Sequence, residues 1–287
     1  MPRFAYVNGR YVPHARAAVH VEDRGYQFAD GVYEVVPIHR GRPINEDSHL
    51  DRLDYSLREL RIAWPMSRAA LKLVLRELIR RNGVADGIVY VQATRGVAPR
   101  DHKFPARSRT ALIATTKRQK PPSASLLADG AAVITIPDIR WRRCDIKSVA
   151  LLPNVLGKQQ AVEAGAYEAW QVDAEGYVTE GTSTNAWIVT ADGRLVTRDA
   201  GPAILNGITR RSLLKLLRAA GIAFEERRFS VAEAMAAREA FLTSSSSVVL
   251  PVTRIDGAAV GDGRPGPLTA KLRARYLAYV AGGEAGA

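Results

Sequence analysis

The alternation of apolar and polar residues predicts a mixture of strands and helices in the first hundred residues. Around Asn8-Gly9, a pair typical of a tight hairpin turn, the alternation runs through "FAYVNGRYV". Two more strands are predicted around Arg40-Gly41, in "GVYEVVPIHRGRPI". Leucines recur at spacings of three and four residues in "DSHLDRLDYSLREL", which predicts a helix with one buried stripe.

A second helix is predicted between Ser67, a good N-cap residue, and Asn82-Gly83. Two further strands are predicted in "GIVYVQATRG" and "TALIATTK". Residues 118–125 read "RQKPPSAS", where two consecutive prolines stop any helix and no periodic pattern continues. We therefore predict an N-terminal α/β domain at residues 1–118, a linker at 119–125 and a second domain at 126–287.

The second domain is predicted to be rich in strands with a few helices. A strand in "AAVITIPDI" is followed by a helix for which we predict Asn154 as N-cap and Gly165 as the end. Strand patterns fill residues 167–198, and a helix is then predicted between an N-cap at Asn206 and Gly221. A capping box starts at Ser230, and the last helix is "PLTAKLRARYLAYV". The predicted fold class is a two-domain α+β protein.

Composition narrows the class of function. There are 41 basic and 29 acidic side chains, a net charge of +12, but the basic residues are scattered and no nucleic-acid motif accompanies them. The main interpretation is an arginine-rich composition on solvated faces, the alternative is an anionic cofactor or substrate, and we expect no nucleic acid. A single cysteine and five histidines without ligand spacing predict no disulfide and no metal site. Without a signal pattern or an apolar run of about 20 residues, we expect a cytoplasmic protein that binds no membrane.

Two isolated charged residues are candidates for chemistry. Lys147 precedes the apolar run 149–152 in "RRCDIKSVALLPN". On position alone such a lysine most often extends its ammonium into water, but a buried amine can form a Schiff base with a carbonyl. Glu180 interrupts a strand-like pattern in "VTEGTSTNAW". It is either an exposed turn residue or a carboxylate that keeps a proton on a heteroaromatic nitrogen.

Three segments are candidates for binding anions. In "LNGITRR", the backbone amides of a helix start could bind a phosphate. Four serines at 244–247 add amides and hydroxyls after a strand. Arg95, Arg100, His102 and Lys103 gather in the loop "TRGVAPRDHKFP". That loop is either simply solvated or a trap for a carboxylate, whose two oxygens match a guanidinium and an imidazole.

Six segments occur in this order along the chain: "VEDRGYQFADGVYEVV", "HLDRL", "DIKSVALLPNVLGKQQA", "EGTSTNAW", "ILNGITR" and "FLTSSSSVVLPV". Together, over about residues 6–257, they resemble the motifs of the fold-type IV, pyridoxal 5'-phosphate-dependent aminotransferases. The resemblance implies a smaller N-terminal α/β domain and a larger C-terminal domain with a strand-rich, barrel-like core. Within the family, Arg100-Asp101-His102 resembles the carboxylate-binding loop of D-amino-acid aminotransferases.

The resemblance also implies a role for each matching residue. Lys147 would bind the cofactor as a Schiff base and shuttle the substrate's α-proton, and Glu180 would pair with the pyridine nitrogen. The cofactor's phosphate would be held by Arg52, Ile208, Thr209 and Ser245. The substrate carboxylate would be held by Tyr33, Arg100 and His102, of which the last two would reach in from the neighbouring subunit of a homodimer.

The expected reaction is therefore transamination of a D-amino acid such as D-alanine or D-glutamate, with 2-oxoglutarate or pyruvate as acceptor. The same scaffold also serves branched-chain L-amino-acid aminotransferases, (R)-amine transaminases and aminodeoxychorismate lyases. A nucleic-acid-binding protein without catalysis is the alternative from another class. Two features depart from the family pattern. Ser245 stands where threonine is common, and Val248 and Leu250 replace polar residues that often follow it.

Overall fold

The computed structural model describes residues 3–282 of the chain. The chain divides into two compact units. Unit 1 comprises Met1–Lys120 and Ile146–Ala150, and unit 2 comprises Pro121–Asp145 and Leu151–Ala287. The short segment that carries Lys147 thus belongs with unit 1, although it lies far along the chain. The domain limits drawn at residues 119–125 stay a prediction.

Unit 1 contains an antiparallel six-stranded sheet in the order β2-β1-β6-β5-β3-β4. Its strands are β1 Phe4–Val7, β2 Arg10–Pro13, β3 Gly31–His39, β4 Arg42–Pro43, β5 Gly87–Thr94 and β6 Ala111–Arg118. The hairpin predicted at Asn8-Gly9 joins β1 to β2, and both turn residues have positive φ, 45° and 96°. The turn at Arg40-Gly41 likewise joins β3 to β4.

The described part of unit 1 has three α-helices: α1 Arg24–Phe28, α2 Glu46–Glu59 and α3 Arg68–Asn82. The predicted bounds of α3 are confirmed, because Ser67 Oγ accepts from the Ala70 N–H and Gly83 is the left-handed C-cap. The leucines of α2 and three leucines of α3, at positions 71, 75 and 78, pack with valines of the sheet into one apolar core, which also contains Ile146. That core fixes the position of the residue before Lys147.

Unit 2 contains a mixed nine-stranded sheet in the order β12-β11-β10-β13-β14-β7-β8-β9, with β15 paired to β14. Its strands are β7 Ala131–Pro137, β8 Glu168–Val172, β9 Val178–Gly181, β10 Asn185–Val189, β11 Leu195–Thr197, β12 Phe224–Glu226, β13 Glu239–Ser244, β14 Val248–Ile255 and β15 Ala258–Ala259. Three pairs are parallel, namely β7 with β8, β7 with β14, and β11 with β12. Parallel neighbours need crossover connections, and helices supply them.

The described part of unit 2 has five helices: α4 Ala124–Asp129, α5 Leu152–Glu163, α6 Ile208–Ala219, α7 Val231–Met235 and α8 Pro267–Val280. The bounds of α8 are those predicted. The N-cap predicted at Asn154 is wrong: α5 starts at Leu152 because a proline fits its first turn. Asn154 instead donates from Nδ2 to the Thr182 carbonyl oxygen at 2.8 Å.

The N-cap predicted at Asn206 is also wrong, by one residue. Gly207 is the N-cap of α6, and Asn206 Oδ1 accepts from Arg210 Nη1 at 3.2 Å. The mixture of helices and sheets in each unit gives the α+β class that the sequence predicts. Within residues 3–282, no helix is both long enough and apolar enough to span a membrane.

Candidate active site

Lys147 lies on a segment that pairs with the beginning of β3. Its carbonyl oxygen accepts from the Tyr33 N–H at 2.9 Å, and the Val149 N–H donates to the Gly31 carbonyl oxygen at 3.0 Å. The Lys147 N–H donates to Ser56 Oγ on α2 at 3.2 Å. These bonds fix the lysine backbone on both sides. An amine on such a support has a defined position, as nucleophilic catalysis requires.

The Lys147 amine lies on the face of an aromatic ring. Its Nζ is 4.1 Å from the centroid of the Tyr33 ring, and that ring packs against Tyr90 with a centroid distance of 5.5 Å. Burial, with a smaller contribution from Tyr33, raises the pKa of Tyr90 to about 12. Tyr90 therefore remains a neutral phenol, which donates to Gln92 Oε1 at 2.7 Å. The structure thus brings together Lys147 and Tyr33, two of the predicted site residues.

Arg52 belongs to a buried ionic cluster with Glu34 and His49. Its Nε and Nη2 donate to the two carboxylate oxygens of Glu34 at 2.7 and 2.8 Å, and His49 Nδ1 lies 2.7 Å from Oε2. Burial opposes the charge of Glu34, but the charge of Arg52 and the hydrogen bonds from both partners outweigh it and lower its pKa to about 2. The carboxylate is therefore ionised, and it orients the Arg52 guanidinium by a bidentate contact.

His49 completes this cluster as a neutral group. Burial lowers the pKa of His49, and the adjacent Glu34 only partly opposes the effect. The side chain of His49 is 1% exposed, and that of Glu34 is 0% exposed. Neither residue was predicted from the sequence. A signal did exist for Glu34, because it occupies an inward-facing position in the alternating strand β3.

The predicted carboxylate loop presents two exposed basic side chains around one aromatic ring. The guanidinium carbon of Arg100 lies 4.6 Å from the centroid of the Phe28 ring. The imidazole of His102 lies 5.4 Å from the same ring, centroid to centroid. Phe28 is the last residue of α1, so the two side chains share one support. This arrangement suits a small carboxylate, which can accept from both groups.

Arg95, which the sequence grouped with this loop, has a different position. It is 6% exposed and donates to both carboxylate oxygens of Asp30, at 2.7 and 2.9 Å. It also donates to the carbonyl oxygens of Leu60 and Arg61, at 2.7 and 2.9 Å. Arg95 thus anchors the first residue of the loop, while Arg100 and His102 remain exposed.

In unit 2, Glu180 is held by three donors. The Arg140 guanidinium contacts Oε1, Asn185 Nδ2 donates to Oε2 at 2.9 Å, and the Leu205 N–H donates to Oε1 at 3.0 Å. Burial opposes the charge of Arg140, but its hydrogen bonds to Asp138 and the charge of Glu180 outweigh it and raise its pKa. A cation is therefore maintained beside this carboxylate. The exposed-turn interpretation of Glu180 is wrong, since the residue is 6% exposed.

The start of α6 lies beside the same network. Gly207 precedes Ile208 and Thr209, and a Cβ at Gly207 would lie only 2.2 Å from Asn185 Oδ1. Asn185 Nδ2 donates both to Glu180 and to the Leu205 carbonyl oxygen, at 2.9 Å each. Asn185 therefore couples the position of Glu180 to the start of the helix. Amides in the first turn of a helix lack intrahelical partners and can bind an anion.

The serine run forms the turn between β13 and β14. Ser244 Oγ accepts from the N–H groups of Ser246 and Ser247 at 3.3 and 3.0 Å. Val248 follows with a φ of 65°, a conformation that a β-branched residue rarely adopts. On either side of it, the carbonyl oxygens of residues 247 and 249 accept from Arg273 Nη1, at 2.9 and 2.6 Å. The turn that contains Ser245 is thus held from both ends.

Several residues that organise these sites were missed from the sequence. They are Arg24, Glu34, His49, Arg140, Asn185 and Arg273. Most of them act on partners between 15 and 77 residues away in the chain, as Glu34 does on His49 and Arg24 on Asp101. No local pattern connects such partners. Arg24, Glu34, His49 and Asn185 lie within the family-like segments, but their partners are visible only in the fold.

Comparison with known proteins identifies the family. Residues 31–255 match the model of Amino-transferase class IV. A D-alanine aminotransferase of Bacillus licheniformis is 44% identical over 267 residues, which is 93% of each chain. A D-alanine aminotransferase of Staphylococcus haemolyticus is 38% identical over 275 residues, 96% of this chain and 97% of that protein.

A solved structure shares the fold. It is the branched-chain amino acid aminotransferase of Escherichia coli, which is 24% identical with a TM-score of 0.91. The match covers 100% of this chain and 97% of that one. The chain belongs to the class IV aminotransferases. The predicted family, fold class and aminotransferase activity are thereby confirmed.

Proposed function

We propose that the protein transfers the amino group of a D-amino acid to a 2-oxo acid, with pyridoxal 5'-phosphate as its cofactor. The observation that carries this proposal is the loop in which Arg100 and His102 flank the Phe28 ring. A guanidinium and an imidazole that pack against the same ring can both donate hydrogen bonds to the two oxygens of an α-carboxylate. The 44% identity to a protein named D-alanine aminotransferase supports the same substrate class.

The residues present fit this cofactor. Lys147 offers an amine on a fixed backbone, and Glu180 offers a carboxylate oriented by three donors. When bound, the cofactor supplies an electron-accepting ring that makes the α C–H of an amino acid acidic. Glu180 would hold the proton on the ring nitrogen, which that electron acceptance requires. The network of Arg140, Asn185 and the Leu205 N–H would keep the carboxylate aimed at that nitrogen.

Lys147 would bind the cofactor covalently until the substrate's amino group takes its place, and the amine released in this exchange would then move the proton at the substrate α-carbon. Its backbone bonds to β3 and α2 limit the positions that Nζ can reach, and the Tyr33 ring adds one contact surface. A base restricted in this way removes the hydrogen from one side of the substrate only. Stereochemistry then depends on how the carboxylate is held relative to Lys147.

The phosphate group of the cofactor would be held by four residues: Arg52, Ile208, Thr209 and Ser245. The first turn of α6 supplies backbone amides and the positive end of the helix dipole. The Thr209 and Ser245 hydroxyls add neutral donors. Glu34 would orient the Arg52 guanidinium through its bidentate contact. Replacement of the family's threonine by Ser245 keeps the hydroxyl.

We propose a cytoplasmic homodimer in which Arg100 and His102 act on the partner's substrate. Exposed apolar side chains on α5 support an interface, since Leu152, Val155 and Val162 are between 58% and 69% exposed. Mixing Lys147→Ala chains with Arg100→Ala chains tests this arrangement, assayed at a D-alanine concentration well below the raised KM of Arg100→Ala. If the loop acts across the interface, a mixed dimer contains one intact site and regains activity. If the loop acts within its own chain, both sites stay defective and no activity returns.

The substrate assignment is tested by steady-state turnover with 2-oxoglutarate as the acceptor. We expect pyruvate from D-alanine, no turnover of L-alanine or L-leucine, and no turnover by Lys147→Ala. Turnover of L-leucine but not of D-alanine would contradict the proposal in favour of a branched-chain L-amino-acid aminotransferase. Turnover of a chiral amine without a carboxylate would favour an (R)-amine transaminase. Pyruvate released from aminodeoxychorismate alone would favour the lyase.

A further inference from the structure

A buried arginine ties the substrate loop to the helix beneath it. Arg24, the first residue of α1, is 3% exposed and donates from Nη1 to the Asp101 carbonyl oxygen at 2.6 Å. Its Nη2 lies 3.5 Å from the carbonyl oxygen of His102. Asp101 and His102 are the two residues that follow Arg100 in the loop. The backbone of an exposed loop is thus fixed by a cation from inside the unit.

Asp30 fixes the other side of the Arg24 guanidinium. Its Oδ2 accepts from Arg24 Nε at 2.8 Å, while Arg95 donates to both of its oxygens. Burial opposes the charge of Asp30, but the hydrogen bonds from Arg95 and Arg24 outweigh it and lower its pKa. Asp30 therefore stays ionised at neutral pH. The Asp30 carboxylate thus sets the positions of both Arg24 and Arg95. Arg95 is itself the first residue of the loop, and Arg24 holds the backbone of residues 101 and 102.

Arg24 also contacts the aromatic support of the loop. Its guanidinium carbon lies 4.8 Å from the centroid of the Phe28 ring, the same ring that Arg100 and His102 flank. The Phe28 ring therefore has a buried cation and an exposed cation within 5 Å of its centroid. Cation–π contacts of this kind restrict the orientation of a ring and of the guanidinium on it.

We infer that Arg24 is a positioning residue, which sets the spacing of Arg100 and His102 for a substrate carboxylate. This inference rests on the proposed function. Arg24 is buried, and it acts on the carbonyl oxygens of the loop and on Phe28. A planar guanidinium is required, because Asp30, the two carbonyl oxygens and the ring lie at different edges and faces of the group. A lysine would keep the charge but could not reach all of them.

The test compares Arg24→Met and Arg24→Lys with the wild-type holoenzyme, with Arg42→Met as matched control. Arg42 is an exposed arginine on β4, so its replacement removes the same charge without touching the loop. For each protein, KM and kcat are measured with D-alanine, together with the inhibition constant of propionate, a carboxylate without an amino group. The dissociation constant of pyridoxal 5'-phosphate is the internal reference.

For Arg24→Met we expect KM for D-alanine and the inhibition constant of propionate to rise together by about tenfold or more. Tenfold corresponds to about 1.4 kcal/mol of lost carboxylate binding. We expect kcat to change much less, since binding of the carboxylate contributes alike to the ground and transition states. Both constants of Arg24→Lys should lie between those of Arg24→Met and those of the wild type. KM and the inhibition constant of Arg42→Met should equal the wild-type values, and the dissociation constant of the cofactor should be the same in all four proteins.

Three results would overturn the inference. Unchanged KM and propionate inhibition in Arg24→Met would show that the loop needs no such anchor. A fall in kcat with constant KM would show a role outside carboxylate binding. If Arg24→Met does not fold, an unchanged KM in Arg24→Lys would overturn it equally. Failure of the proposed function is a separate result, because the wild-type enzyme itself would then not turn over D-alanine.

Discussion

Replacement of Glu34 by glutamine tests whether the buried ionic cluster stabilises unit 1. The amide of glutamine can accept only on one side, so it cannot match both Arg52 Nε and Nη2 at their distances of 2.7 and 2.8 Å. It also removes the buried carboxylate that is ion-paired with the Arg52 guanidinium. Removing one partner of a buried ion pair typically costs about 3–5 kcal/mol. At about 3 °C per kcal/mol, the melting temperature should fall by roughly 10 °C.

The matched control is Glu77→Gln on α3. Glu77 also bonds two arginines, Arg80 and Arg81, and these hydrogen bonds lower its pKa to about 2, but the group lies at the surface. Water and salt screen the charges there, so we expect no measurable loss of stability. The two variants therefore remove the same charge in a buried and an exposed setting. Both are measured by thermal and urea unfolding of the holoenzyme.

The stability difference between the wild type and Glu34→Gln should depend on pH in a defined direction. The pKa of Glu34 is about 2 in the folded protein against 4.5 for the free side chain, so the unfolded chain binds the proton more readily. The contribution of Glu34 is complete above pH 4.5 and is lost as the pH falls towards 2. A melting temperature of Glu34→Gln equal to that of the wild type at pH 7 would refute the reasoning. So would an equal loss in Glu77→Gln.

Three further variants test single contacts in the two units. Arg100→Ala should raise KM for D-alanine at least tenfold with little change in cofactor affinity, since it removes a charged carboxylate donor; an equal loss of both would contradict the loop assignment. Arg140→Met should lower kcat about tenfold or more, because Glu180 loses its cationic partner, and a normal kcat would contradict that role. Arg273→Ala removes two hydrogen bonds around Val248 and should weaken cofactor binding about tenfold in equilibrium titration, whereas an unchanged dissociation constant would show that the serine turn needs no such support.

Local sequence signals predicted most of the helices and strands. The hairpin at Asn8-Gly9 and the limits of α3 follow from backbone rules that act over two to four residues. The caps at Asn154 and Asn206 failed for different physical reasons. Asn154 lies inside α5, which begins at Leu152 with a proline in its first turn, and its Nδ2 donates to the Thr182 carbonyl oxygen. Asn206 Oδ1 accepts from Arg210 four residues further on, and Gly207 is the N-cap.

The reactive residues of the candidate site could be predicted from the sequence, but the residues that hold them in place could not. Lys147 and Glu180 stand out as charges within apolar patterns, and the family resemblance gave them roles. Their partners could not be read from the sequence, because Ser56 is 91 residues from Lys147 and Arg140 is 40 residues from Glu180. The parallel pairing of β7 with β8 and β14 likewise depends on long-range register.

The central claim is that Lys147 and the Arg100/His102 loop form the site of a D-amino-acid aminotransferase. Its most direct test is the half-reaction of the purified holoenzyme, followed by the visible spectrum under nitrogen without any oxo acid. We predict that D-alanine alone removes the yellow colour of the lysine-bound cofactor and yields pyridoxamine phosphate, while L-leucine leaves the spectrum unchanged. Loss of colour with L-leucine alone, or a colourless protein that binds no cofactor, would contradict the account.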